Sequence, residues 1–148
     1  MGQQQLLLLV LATVIVGLAT VAGIQAFDEN QAQASQDALV QRATSIASDI
    51  KGLDGKPDQL GGISVSSASA SDIREKLGLQ ANPFDVPSAG DGAQCEIKTP
   101  DGSINVECAA PDAPENIQVV YSPTTDGSDE VTTNFGSGSV GSGSDGPE

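Results

Sequence analysis

Nineteen consecutive residues, Leu6 to Ile24, read LLLLVLATVIVGLATVAGI, with no charge, no proline and nothing more polar than two threonines. As a helix rising about 1.5 Å per residue, this stretch spans roughly 28 Å, close to the ~30 Å hydrocarbon core of a bilayer. Only Met1, Gly2 and Gln3 to Gln5 precede it. The chain therefore begins apolar and turns polar afterwards, and whatever it folds into must provide for that segment.

Helical signals continue past Ile24. No proline interrupts Gln25 to Lys51, and Ala34, Ala38, Leu39, Ala43, Ile46, Ala47, Ile50 and Leu53 recur at spacings of three and four. Leu39, Ala43, Ile46, Ile50 and Leu53 form the stripe of a helix covered on one face. Lys51 suits the dipole of a last turn, and Gly52 is a natural residue just beyond it. The expectation is one helix of two characters: residues 3–24 apolar all round, residues 25–52 apolar on one face.

The remaining chain is short of large apolar side chains. Three Phe, one Tyr and no Trp in 148 residues limit its core. It is expected to lean on the helix, on a cross-link and on neighbouring subunits. Twenty acidic against six basic residues give a formal charge of −14. That balance disfavours nucleic acid and anionic membrane surfaces as partners. It fits a solvated, self-repelling surface, or an adaptation to high salt, where screening weakens the repulsion.

The two cysteines, Cys95 and Cys108, flank a hairpin pattern. Treating Asp101-Gly102 as a two-residue turn places Cys95 opposite Cys108, Ile97 opposite Val106 and Thr99 opposite Ile104. Glu96, Lys98, Asn105 and Glu107 then share the other face, with Lys98 placed to relieve the Glu96–Glu107 pair diagonally. A shift of one residue destroys this segregation. The rival turn, Pro100 leading a type I turn with Gly102 in a bulge, puts the sulfurs on opposite faces. The prediction is a disulfide-closed hairpin, as an oxidising compartment allows.

Elsewhere, Ile63-Ser64-Val65 reads as a short strand and Ser66 to Ser71 as a linker. Ser69 or Asp72 caps a short helix ending before Gly78, with Asp72 and Glu75 in capping-box spacing. Asn82 to Pro87 is extended. Asn116 to Tyr121 and Glu130 to Phe135 alternate as a second strand pair around a loop shaped by Pro123 and Asp126-Gly127. Asp126, Asp129 and Glu130 match no calcium-loop spacing. Residues 136–148 read as a flexible acidic Gly/Ser tail or, alternatively, as a segment ordered against a neighbour. The fold class expected is α+β: a long N-terminal helix packed on a small antiparallel β-domain over residues 53–135.

Three readings fit the apolar start. A cleaved signal peptide, cut after Val21-Ala22, lacks its basic n-region, since no Lys or Arg precedes Arg42, and its apolar core is too long. A plain membrane anchor displaying a monomeric binding module is the second. The third rests on Gly2, followed by Gln3-Gln4-Gln5, the hydrophobic run and the amphipathic continuation to about residue 53. That N-terminal third resembles the type IV pilins.

The resemblance implies cleavage after Gly2 (residues 1–2 being a very short leader) by a prepilin peptidase, with Gln3 as the new terminus. It also implies residence in the inner membrane, then polymerisation by an assembly machinery into a cell-surface filament or a pseudopilin of a secretion system. Two positions depart from the family pattern: Leu7 stands where Glu is common, and no basic leader precedes Gly2. In such a filament Leu6, Leu7, Val10, Val14, Gly17, Ala19, Val21 and Gly23 are the expected core-packing residues. Association among lipid tails depends on close packing, for which Ala19-xxx-Gly23 offers a small surface. Outside lipid, water drives the segment together at about 25 cal/mol per Å² buried. Gly17 and Gly23 weaken the helix by up to ~1 kcal/mol each.

With no histidine, paired cysteines and no Gly-rich phosphate loop or metal cluster, no catalytic residue, metal ligand or cofactor is assigned.

Overall fold

The computed structural model describes residues 2–124, 129–136 and 140. One helix, α1, runs unbroken from Gly2–Asp54, and is therefore about 80 Å long. After it come a 3₁₀ turn at Asp58–Leu60, a short helix α2 at Ala70–Lys76, and a five-stranded antiparallel sheet in sequential order. The strands are β1 Phe84–Asp85, β2 Gln94–Lys98, β3 Ile104–Ala109, β4 Ile117–Ser122 and β5 Glu130–Phe135. The architecture is α+β, with the second half of α1 laid chiefly across β3 and β4.

The amphipathic stripe is where the periodicity places it. Leu39, Ala43, Ile46, Ala47 and Ile50 are buried, and Leu53 packs partly against the same core. Ala34, expected on this face, is exposed; Ser35, one position on and four before Leu39, is buried there instead. Facing the stripe are Cys95, Ile97, Ile104, Val106, Cys108, Ile117, Val119 and Tyr121, all buried. Arg42 lies over the Phe84 ring, 5.9 Å from its centroid, and so ties α1 to the outermost strand on that side.

The end of the helix differs from the expectation of a stop at Lys51. Gly52 stays helical, and the last turn continues through Leu53 to Asp54. Tertiary bonds hold that extra turn. The Asp54 carboxylate accepts the Val65 N–H (3.1 Å) at one oxygen and the Tyr121 hydroxyl (3.0 Å) at the other. Burial, then the bond to Asp54 and the charges of Asp54 and Asp129, push the Tyr121 hydroxyl well above its ordinary pKa, keeping it a donor.

Ile63-Ser64-Val65 is not a strand. Ile63 and Val65 are buried, but their backbone N–H groups bond Leu53 C=O (3.2 Å) and Asp54, leaving no ladder to join. Glycine is required at Gly62, where a Cβ would run into the Lys56 carbonyl. The capping box sits one turn earlier than the Asp72–Glu75 spacing suggests. Ser69 is the cap and Asp72 the third helical residue, with Ser69 Oγ accepting from Asp72 N (3.3 Å) and Asp72 Oδ2 from Ser69 N (3.1 Å). The Ser69 hydroxyl, then its backbone N–H, holds the Asp72 carboxyl below the usual range. Gly78, with φ of 70°, ends α2 in the left-handed region.

The hairpin matches its predicted register, Cys95 opposite Cys108, Ile97 opposite Val106 and Lys98 opposite Asn105. Asp101 (φ 45°) and Gly102 (φ 79°) both lie at positive φ, as a type I′ turn demands, and Ser103 N–H closes it on Pro100 C=O at 3.0 Å. The rival type I turn also places Gly102 at positive φ but needs a negative φ at Asp101, which the structure does not have. The cysteines form a disulfide, with Cα atoms 4.1 Å apart, as suits a directly opposed pair whose backbones do not bond each other. On the other face, Lys98 Nζ lies 2.6 Å from Glu107 and 3.4 Å from Glu96, and Gln118 donates to Glu107 at 3.1 Å. Both glutamates are nonetheless buried. Burial pulls the Lys98 pKa down, but its bond to Glu107 and the charges of Glu107 and Glu96 outweigh that and leave it raised.

The second strand pair forms as expected, and its register sets Ile117, Val119 and Tyr121 opposite Phe135, Thr133 and Val131. The Asp126-Gly127 loop, and the 136–148 tail apart from Gly136 and Val140, lie outside the described residues.

Candidate assembly surface

Among the described residues, nothing packs against the first half of α1. From Leu6 to Phe27 every large apolar side chain is more than half exposed, Val14 at 52% being the least and Leu7 at 70% the most. Isolated exposed leucines are ordinary, but a continuous sleeve of them around a helix is not. α1 is long and apolar enough to cross a membrane.

The two threonines do not break the sleeve. Thr13 Oγ1 donates to Val10 C=O (2.9 Å) and Thr20 Oγ1 to Gly17 C=O (2.8 Å), so each hydroxyl is satisfied on its own helix. The first ionisable side chain is Asp28. Stem (residues 2–27) and head (everything after it) thus divide the molecule sharply: every ionisable side chain lies on one side of that boundary.

At 100° per residue, Leu7, Val10, Val14, Gly17 and Val21 fall within one narrow face of the stem. Leu6 flanks that face. Ala19 and Gly23 lie a turn apart on the opposite side. The residues expected to pack in a filament core therefore occupy two faces, as a rod needs if it has neighbours on more than one side. A Cβ added at Gly17 or Gly23 would meet nothing within 4 Å, so neither glycine is required by the chain's own packing. Gly2 and Gln3, the expected processing site, begin the first turn, which carries no acidic residue.

Sequence reasoning missed the uncovered inner face of β5. Val131 (42%) and Phe135 (53%) are exposed although they share a sheet face with the buried Ile117 and Tyr121. Alternation marks which face a residue takes but not which strands the helix covers. Compared with protein-family models, with curated proteins and with solved structures, the chain matches none.

Proposed function

We propose that this chain is the structural subunit of an extracellular filament of the type IV pilus kind. It resides in the inner membrane before assembly and polymerises through the stem of α1. The observation that carries the proposal is the division of one continuous helix: its stem is an apolar sleeve without charged side chains and without a partner among the described residues, while its second half is locked into a folded head. Such a sleeve is stable in lipid or against its own kind, and a continuous helix with a polar head permits transfer from one to the other. Ala19 and Gly23 on one side, and Gly17 among branched residues on the opposite side, suit close packing of several rods. The head, with the net charge of −14, coats the bundle and keeps it in water.

Negative-stain imaging of the producing cells tests this directly. Filaments are expected, absent when the gene is deleted, and N-terminal sequencing of purified filaments is expected to begin at Gln3. A head displayed singly from the membrane, never sedimenting as polymer, overturns the proposal.

A further inference from the structure

The two edges of the sheet are finished differently. On the β1 side, the strand is two residues long, and beyond it the carboxamide of Asn82 occupies the outward backbone of β2. It donates to Ile97 C=O at 3.1 Å and accepts from Ile97 N–H at 2.9 Å. That edge is closed. On the other side β5 is six residues long and, among the described residues, pairs only with β4.

The phase of the β4–β5 ladder decides what β5 presents. Gly136 N–H donates to Asn116 C=O at 2.9 Å, so these two residues form a bonded pair, and bonded pairs alternate along an antiparallel ladder. Glu130, Thr132 and Asn134 therefore turn their backbone groups toward β4. Val131, Thr133 and Phe135 turn theirs outward. The same three residues carry the exposed inner-face side chains. Natural sheets usually guard such an edge with proline, lysine or a bulge, and Val131 to Phe135 has no such guard.

We propose that the β5 edge pairs with β5 of a second copy, antiparallel, about a two-fold axis at Thr133. In this register Thr133 faces its own counterpart and Val131 faces Phe135, so outward N–H groups meet outward C=O groups throughout. The exposed apolar side chains cover each other. Charge favours the match: Val131 to Gly136 is uncharged in a chain of net −14, and Glu130, the one acid in the strand, falls opposite Gly136. Because α1 lies across β3 and β4, the helices of the two copies stand clear of the joined strands.

The two-fold axis also fixes where this contact is used. It reverses α1, so the two stems point in opposite directions, and such a pair cannot sit inside a filament whose stems all run one way. It joins neighbouring filaments into antiparallel bundles. A single strand pair buries less than the ~1,000 Å² of a stable interface, so isolated subunits stay apart, while a row of edges along two filaments binds by multivalency. This inference rests on the filament reading above.

The test uses purified filaments of the full chain, imaged at high salt. Wild-type filaments are expected to bundle. Thr133→Pro, which removes an outward N–H at a position where an edge strand accepts proline, is expected to give single filaments in undiminished number. Val131→Lys is expected to do the same, and the filaments themselves report that either variant has folded. Under oxidising conditions Thr133→Cys filaments are expected to yield covalent dimers at least ten times more abundant than Thr132→Cys filaments, whose added thiol points to the other sheet face. Bundles that persist in both edge variants, no excess of Thr133→Cys dimers, or wild-type filaments that never bundle overturn the edge proposal and leave the filament reading standing. Absence of wild-type filaments overturns the filament reading itself.

Discussion

The two halves of α1 share a backbone and differ in what surrounds them. In the head half, burial is one-sided: Leu39, Ala43, Ile46 and Ile50 point into the sheet, and the remaining faces carry the polar residues that keep the domain in water. In the stem half there is no inside, because every face is apolar and every face is open. Stability of the head is therefore a property of one chain, and stability of the stem a property of its surroundings. Substitutions in the two halves should separate cleanly, one set changing folding and the other changing assembly.

The sharpest way to break that separation is a charge in the stem. Val14→Asp is expected to abolish sedimentable polymer, since a carboxylate buried among apolar rods costs several kcal/mol for each subunit. Its head, in detergent, should melt at the wild-type temperature. A shifted melting temperature would show that the halves are coupled after all. The converse change, Ile50→Ala, is expected to destabilise the head by about 2–5 kcal/mol in denaturant titration. Next in size, removing the disulfide by replacing both Cys95 and Cys108 with Ala should cost about 3 kcal/mol of head stability and leave stem-driven association of the surviving folded fraction unchanged.

Tyr121→Phe is expected to cost about 1 kcal/mol. It should also flatten the alkaline limb of the stability curve. The folded state raises the Tyr121 pKa, so its contribution is full below the unfolded value of about 10 and is lost as pH climbs through the folded one. Wild type should therefore lose stability above about pH 10 faster than the variant does. The smallest effect is expected from Ser69→Ala, about 0.5–1 kcal/mol, confined to α2 and readable by amide exchange.

Much of this architecture was legible because local chemistry and long-range pattern agreed. Asp101-Gly102 demands a tight turn, and that turn brings Cys95 to Cys108 and segregates Ile97 and Val106 from Glu96 and Glu107, so a single register satisfies every requirement. The stem was legible for a simpler reason: an uncharged run of that length has few options. What the sequence hid depends on distant partners. Gly52 reads as a stop until Tyr121 and Val65 are seen bonding to Asp54. Ile63 and Val65 alternate like a strand, but their partner is the end of a helix. The outward backbone of β5 follows from the phase of a ladder, and its open inner face from where α1 lies; neither is written in the alternation of EVTTNF.

The bond from Tyr121 to Asp54 joins residues far apart in the chain at the far end of the rod. A load drawn along the stem enters the head lengthwise, running parallel to the buried stripe, and must slide that whole stripe past β3 and β4 before anything gives way. The clasp at Asp54 lies last on that path. Pulling on the rod thus tests all the seated turns together, as a drawn bolt tests its full thread, where a load from the side would prise them loose one at a time.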